Sequence, residues 1–136
     1  MDFNTSLDIA YSGMTAQSAR LKVIAENLAN ADSTASTPGG APYRRQVITF
    51  RDTFDRALGV KRVKVGGVVP AGGQFGKRYE PGHPAADADG YVLTPNVNSI
   101  TELMDMREAQ RSYEANLNVI DAVKAMVGRT IDLLRG

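Results

Sequence analysis

A chain of 136 residues, 43% hydrophobic and 23% charged with a net charge of +1, has room for one modest core and no charge excess to draw it to nucleic acid or an anionic membrane. It has no cysteine and a single histidine, which excludes disulfides, thiolate metal sites, a cysteine nucleophile and paired-histidine zinc chemistry. No stretch approaches the roughly 18 apolar residues of a membrane span, and Asp2 and Asp8 stand where a secretory signal carries its cationic region, so passage out of the cytoplasm is expected to involve no cleaved signal.

The first segment is an amphipathic helix. Leu7, Met14, Leu21 and Leu28 recur at a spacing of seven, with Ala10, Ile24 and Ala25 beside them and Ser12, Arg20, Lys22 and Glu26 off the stripe. Such spacing keeps one seam turned toward a partner helix. Thr5 followed by Asp8 reads as the helix start and Asn30 as its end. Gly13 costs about 1 kcal/mol in a helix interior unless close packing requires it.

The middle is irregular and β-rich. Residues 32–42 form a loop by composition. Residues 43–54, with Val47, Ile48, Phe50 and Phe54, predict a strand followed by a short helical turn. Val63, Val65, Val68 and Val69 predict a second strand broken at Gly66-Gly67, and Tyr79 and Tyr91-Val92-Leu93 mark two short ones. The basic groups Arg44-Arg45, Lys61-Arg62-Lys64 and Lys77-Arg78 read as solvated faces.

The last segment is the longest. Pro95 and a Ser99–Glu102 capping box open it. Met106, Tyr113, Ile120, Val127 and Leu134 then repeat at seven, Ala109 and Val123 supply the offset of three, and Leu103, Leu117 and Ile131 widen the stripe. Both long helices join the same insert, one by its C-terminal end and one by its N-terminal end, so they are expected to run antiparallel. The fold class is therefore mainly α (α+β overall): two long antiparallel, coiled-coil-like terminal helices, residues 1–32 and 97–136, with a small β-rich insert at 33–96. The widened stripe exceeds what the first helix can cover, and such surface marks an interface.

Catalytic candidates are weak. His83, within Pro81-Gly82-His83-Pro84, reads as a surface loop residue. Asp87-Ala88-Asp89-Gly90 resembles the opening of a calcium loop but lacks its third acidic position and later glutamate, so an Asp-Gly turn is the simpler reading. Gly76-Lys77 fails as a phosphate loop at Ala71 and at Arg78. No Gly-x-Ser-x-Gly elbow is present.

Specific words then point to a family. Ala25-Glu26-Asn27-Leu28-Ala29-Asn30-Ala31-Asp32-Ser33-Thr34 resembles the N-terminal signature of flagellar rod and hook proteins, and Thr37-Pro38-Gly39-Gly40-Ala41-Pro42-Tyr43-Arg44-Arg45-Gln46 resembles its continuation in the proximal-rod branch. Tyr79 to Pro84, Ala86 to Val92 and Pro95-Asn96-Val97-Asn98 are similar to that branch's central motif. Met104, Ala109, Arg111, Tyr113, Ala115-Asn116 and Lys124-Ala125-Met126 are similar to the rod-protein C-terminus. The motif positions are Asn27, Leu28, Ala29, Asn30, Tyr43, Pro81, Gly82, Pro84, Gly90, Tyr91, Pro95 and Asn96. Residues 35–37 and 60–76 are less typical.

The resemblance implies a non-enzymatic subunit of the periplasmic rod, the drive shaft between motor and hook. It implies export by the flagellar type III apparatus and contacts with copies of itself, with other rod proteins and with the export-gate adaptor. No cofactor, metal, nucleic acid or small-molecule substrate is implied. The assembly positions expected are Leu7, Met14, Leu21 and Leu28 on the first helix, and Met106, Tyr113, Leu117, Ile120, Val127, Ile131 and Leu134 on the last. The rival readings are a coiled-coil adaptor or export chaperone, which needs the helices but not the central motifs, and a small hydrolase using Asp87, Asp89 or His83.

Overall fold

The computed structural model describes residues 2–136. In chain order it comprises α1 (Phe3–Ala29), β1 (Gln46–Asp55), β2 (Val60–Pro70), β3 (Gly76–Tyr79), β4 (Tyr91–Thr94) and α2 (Ser99–Arg135), an α+β fold. The chain forms two compact units, one of Met1–Leu21, Ile48–Gly67 and Arg107–Gly136, the other of Lys22–Val47 and Val68–Met106. Among the described residues no helix is long and apolar enough to cross a membrane.

Both helices start earlier than the spacing predicts. Asp2 Oδ1 accepts the N–H groups of Asn4 at 2.5 Å and Thr5 at 3.4 Å, so Asp2 and not Thr5 is the N-cap, and Thr5 is buried within the first turn. For α2, Asn98 Oδ1 accepts from Ile100 N at 3.0 Å and Thr101 N at 3.3 Å. The expected Ser99–Glu102 box does not form, which releases the Glu102 carboxylate for another role. At the far end of α1, Asn30 Nδ2 donates to the Glu26 carbonyl at 2.8 Å and occupies an orphan acceptor of the last turn. With 37 residues, α2 is about 56 Å long.

In the first unit the two helices lie against each other. An added Cβ on Gly13 would sit 2.8 Å from Asn116 Nδ2, Arg20 reaches Glu108 at 3.5 Å, and Phe3 and Val127 line one shallow cavity. Numbers rise along one helix as they fall along the other, so the pair is antiparallel here. Ala10, Ala16, Ala109, Ile120 and Val123 are the buried apolar side chains of this unit. Small residues dominate the α1 side, which lets the two backbones approach.

The β1–β2 hairpin belongs largely to the same unit. Residues 56–59 make a tight turn instead of the expected helical one. Asp55 Oδ1 accepts from Ala57 N and Leu58 N at 3.0 and 3.3 Å, and Gly59 takes φ 67°. Nor does the strand break at Gly66-Gly67. Without a Cβ, Gly66 leaves room for Thr49 Oγ1, which would lie 2.9 Å from one, and Thr49 donates to the Gly67 carbonyl at 3.2 Å. Lys61–Asp52 and Arg62–Asp55, each at 2.9 Å, link the strands, and those hydrogen bonds hold both carboxyls below their ordinary range.

In the second unit β3 and β4 pair antiparallel, from Gly76↔Thr94 to Tyr79↔Tyr91. The two tyrosine rings meet edge to face at 5.3 Å. Gly90 closes the turn at φ 85°, where a Cβ would also sit 3.0 Å from the Tyr79 ring. Val92 is fully buried beneath them.

The Gly13–Asn116 contact yields a signed prediction. Alanine at Gly13 should gain about 1 kcal/mol of helix propensity, yet its Cβ displaces the Asn116 amide from its 2.9 Å bond to the Ser112 carbonyl. Gly13→Ala is therefore expected not to stabilise, Gly13→Leu to cost about 1–3 kcal/mol, and Gly13→Ala with Asn116→Ala to be more stable than Asn116→Ala alone. A thermal-denaturation double-mutant cycle reads the coupling; additive single effects would show that the helices do not meet here.

Candidate functional site

The four residues Tyr43 to Gln46, which lead into β1, are each fastened by other segments of the second unit. Asn27, near the end of α1, is buried and lies against the backbone of Gln46. Its Nδ2 donates to the Gln46 carbonyl at 2.8 Å and its Oδ1 accepts the Gln46 N–H at 2.9 Å. This is the two-bond exchange of an antiparallel residue pair, made by a side chain. Tyr43 Oη donates to the same Oδ1 at 2.7 Å, and the second Nδ2 proton reaches Glu102 Oε2 at 3.3 Å. An amide has two donors and two lone pairs, and all four are used.

Glu102 has no solvent exposure, a cost of several kcal/mol for a carboxylate unless it is paired. Arg45 Nε donates to its Oε1, and the same guanidinium reaches Asp105 at 3.3 Å. The Arg45 backbone is held as well, its N–H by Asn96 Oδ1 at 2.8 Å and its carbonyl by Ala71 N at 2.8 Å. Arg44 donates to the carbonyls of Ala71 and Gly73 at 3.1 and 3.0 Å and lies 4.3 Å over the Phe75 ring. The Arg44-Arg45 pair is thus not a solvated face, as its composition implied, but a clasp.

Other motif residues build turns. His83 Nδ1 accepts from Ala85 N at 3.0 Å, so the neutral ring turns its Nε2 proton to Thr34 Oγ1 at 3.1 Å. Asp87 Oδ1 accepts from Asp89 N and Tyr91 N at 3.0 and 2.9 Å. Pro81, Gly82 and Pro84 are exposed in that loop, Gly90 and Pro95 are buried, and Leu28, Ala29 and Asn30 finish α1. Among the described residues no group of three His, Asp or Glu could hold a metal ion.

The helix positions divide by exposure. Ile120 is buried, while Leu7, Met14, Leu21, Leu28, Met106, Tyr113 and Val127 are half-buried. Leu117, Ile131 and Leu134 are 40%, 46% and 83% exposed. Val119, Met126 and Leu133 form a further exposed series at a spacing of seven, which sequence reasoning missed although the same count finds it. It also missed Glu102 and Arg45, for which no apolar pattern gives a signal.

Two outcomes follow from the clasp. Arg45→Met leaves Glu102 buried without its cation and should cost about 3–5 kcal/mol, most of it recovered by adding Glu102→Leu; urea denaturation of the single and double variants measures this, and equal loss in both would show that the pair carries no coupling. The Tyr43 hydroxyl is pushed above its usual 10.0, first by burial and then by the Glu26 and Glu102 carboxylates. Its contribution is whole below pH 10 and is lost as pH climbs through the raised native value, because the unfolded phenol ionises first. Tyr43→Phe should therefore show a shallower alkaline fall in stability than the parent.

Comparison with known proteins places these features. The family described as "Flagella basal body rod protein" matches residues 7–35, and the C-terminal family of the flagellar basal body rod FlgEFG proteins matches residues 88–133. The chain is 52% identical to the flagellar basal-body rod protein FlgC of Agrobacterium fabrum over 93% of its own length and 91% of that protein's. Identity is 44% to FlgC of Salmonella typhimurium, over 93% of each, and 34% to FlgC of Bacillus subtilis, over 94% of this chain and 95% of the relative. With relatives this similar covering nearly its whole length, the chain belongs to the FlgC family of flagellar basal-body rod proteins and is a structural subunit of the flagellar basal body.

Proposed function

We propose that this subunit builds the proximal rod, the part of the periplasmic drive shaft nearest the motor, and passes torque from motor to hook through packed helices. The observation that supports this reading best is the apolar surface of α2 that its own unit leaves uncovered. Leu133 and Leu134 are 82% and 83% exposed, and Leu117 and Ile131 lie open on the flank. Surface of this kind is buried by association. Copies of the chain and other rod proteins would cover it, with the export-gate adaptor at the base, and the terminal helices would form coiled-coil-like seams with their neighbours. On this proposal the helical seams of residues 1–32 and 97–136 give the axial and lateral contacts with neighbours. The half-buried positions Leu7, Met14, Leu21, Leu28, Met106, Tyr113 and Val127 would complete their burial in the same contacts. The subunit would reach its place through the flagellar type III export apparatus without loss of an N-terminal signal, and it would catalyse no reaction.

Deletion of the gene is expected to abolish motility and leave no complete rod or hook; motile cells with hooks would refute the proposal. A sharper test is Leu117→Asp, which would place an unpaired carboxylate in an interface. The variant should be made and exported but absent from purified basal bodies, as read by fractionation. Normal incorporation would mean that the flank faces solvent in the rod. Mass spectrometry of assembled subunits should find the chain's N-terminal residues in place.

A further inference from the structure

The first unit contains a groove that its helix pairing does not use. It has a volume of about 720 Å³ and lies between one face of α1, at Tyr11, Thr15 and Ala16, and the β1–β2 hairpin, at Phe54, Val63 and Lys64. That is within the range of pockets that enclose a few side chains, about 300–1,000 Å³. Its apolar walls are open, since Tyr11, Phe54 and Val63 are all more than a third exposed. Its rim is cationic. Residues 48–67 carry five cations, Arg51, Arg56, Lys61, Arg62 and Lys64, against two carboxylates, Asp52 and Asp55. Both carboxylates are taken, by Lys61 and Arg62. The ion pairs therefore leave the charges of Arg56 and Lys64 at the groove without a carboxylate.

A complementary shape lies in the second unit. The turn Asp87-Ala88-Asp89 projects three exposed residues, the middle one no larger than a methyl group. It is rigid: the Asp87 carboxylate holds the N–H groups of Asp89 and Tyr91, and Gly90 N binds the Asp87 carbonyl at 3.0 Å. A preorganised turn loses little entropy on docking. The Asp89 carboxylate has no cation beside it among the described residues and points a negative charge outward from a small apolar tip. This is the acidic, narrow knob that a cationic, apolar groove accepts.

We propose that the groove of one copy receives the Asp87–Asp89 turn of a second copy, with Asp89 between Lys64 and Arg56 and Ala88 against Tyr11 and Phe54. The proposal rests on the rod reading and adds the partner and the contact. Knob and groove are different patches of one chain, so every copy presents one of each, and the contact can recur from copy to copy. It also gives the Asp87-Ala88-Asp89-Gly90 motif a part in assembly.

The chain contains no cysteine, which makes cross-linking clean. Cells carrying Lys64→Cys together with Asp89→Cys should yield, on treatment of purified basal bodies with a short bismaleimide, dimers and higher multimers of this chain, while either single variant yields none. In parallel, Lys64→Glu or Asp89→Lys alone should lower the amount of subunit in basal bodies by about tenfold, and the two together should restore it. Both positions are exposed, so circular dichroism should be unchanged. Failure to cross-link in basal bodies that contain the double-cysteine subunit would overturn the proposal, as would cross-linking only to a different protein, or failure of the charge swap to restore incorporation. Absence of the unmodified chain from basal bodies would instead overturn the rod reading itself.

Discussion

The Asn27 side chain acts as a piece of β-strand, and the second unit is organised around that substitution. A strand entering a sheet needs partners for its N–H and carbonyl groups, and at Gln46 the partner is an amide borne by a helix. The exchange fixes the end of α1 against the start of β1. The same amide then touches Glu102 in the first turn of α2, and Glu102 returns to Arg45, one residue before Gln46. Three segments far apart in sequence close into one circuit of hydrogen bonds. Two of the three largest fully buried side chains in the structure, Glu102 and Asn27, belong to it, with Val92 the third. A core so poor in large apolar groups has little shape to enforce one arrangement. A polar circuit with every donor and acceptor matched does so instead, because each mispairing strands a buried group.

The first unit solves its packing differently. There the helices approach through Gly13 on one side and accept Asn116 on the other, and Ala10 and Ala16 are buried in the same unit. An asparagine in a helix seam lowers stability but penalises other registers. Glu102 and Asn116 both fall in the three-four series that runs 102, 106, 109, 113, 116, 120, 123, 127. The two polar members of that series mark one position in each unit where alignment is specified by chemistry and not by area.

That is also where the sequence became hard to read. The seven-residue series Met106, Tyr113, Ile120 and Val127 locates α2 correctly because apolar periodicity reports burial. It has no way to admit a glutamate or an asparagine to the seam, so the sequence presents Glu102 as half of a capping box and Asn116 only as part of a family motif. On α1 the apolar series 7, 14, 21, 28 falls on half-buried positions, while alanines 10 and 16, which carry little hydrophobic signal, are buried. The strands were legible from β-branched and aromatic runs, but the Gly66-Gly67 pair read as a break. Its effect depends on Thr49 across the ladder, a neighbour that no local window contains. Arg44 and Arg45 misled for the same reason, since a local count of charge sees neither Phe75 nor Glu102.

The division of labour between polar and apolar surface bears on how such a subunit can serve in an assembly. Hydrogen bonds with fixed partners set internal geometry without consuming large apolar side chains. Those side chains are then left on the outside, as Leu117, Met126, Ile131, Leu133 and Leu134 are. An oligomer needs the reverse of what a stable monomer needs, namely apolar area that is still exposed when folding is complete. Had the end of α1 been tied to β1 by leucines in place of Asn27, Arg45 and Glu102, more stability would reside in the isolated chain, and its strand entry would lose the directionality that fixes the register. On the rod reading, resistance to twisting requires a subunit that does not shear internally while neighbours grip its outer helix faces. A matched polar circuit within and an apolar face without meet both conditions, because displacement of a buried hydrogen bond by even an ångström forfeits most of its energy, whereas the apolar face gains its own only from contact.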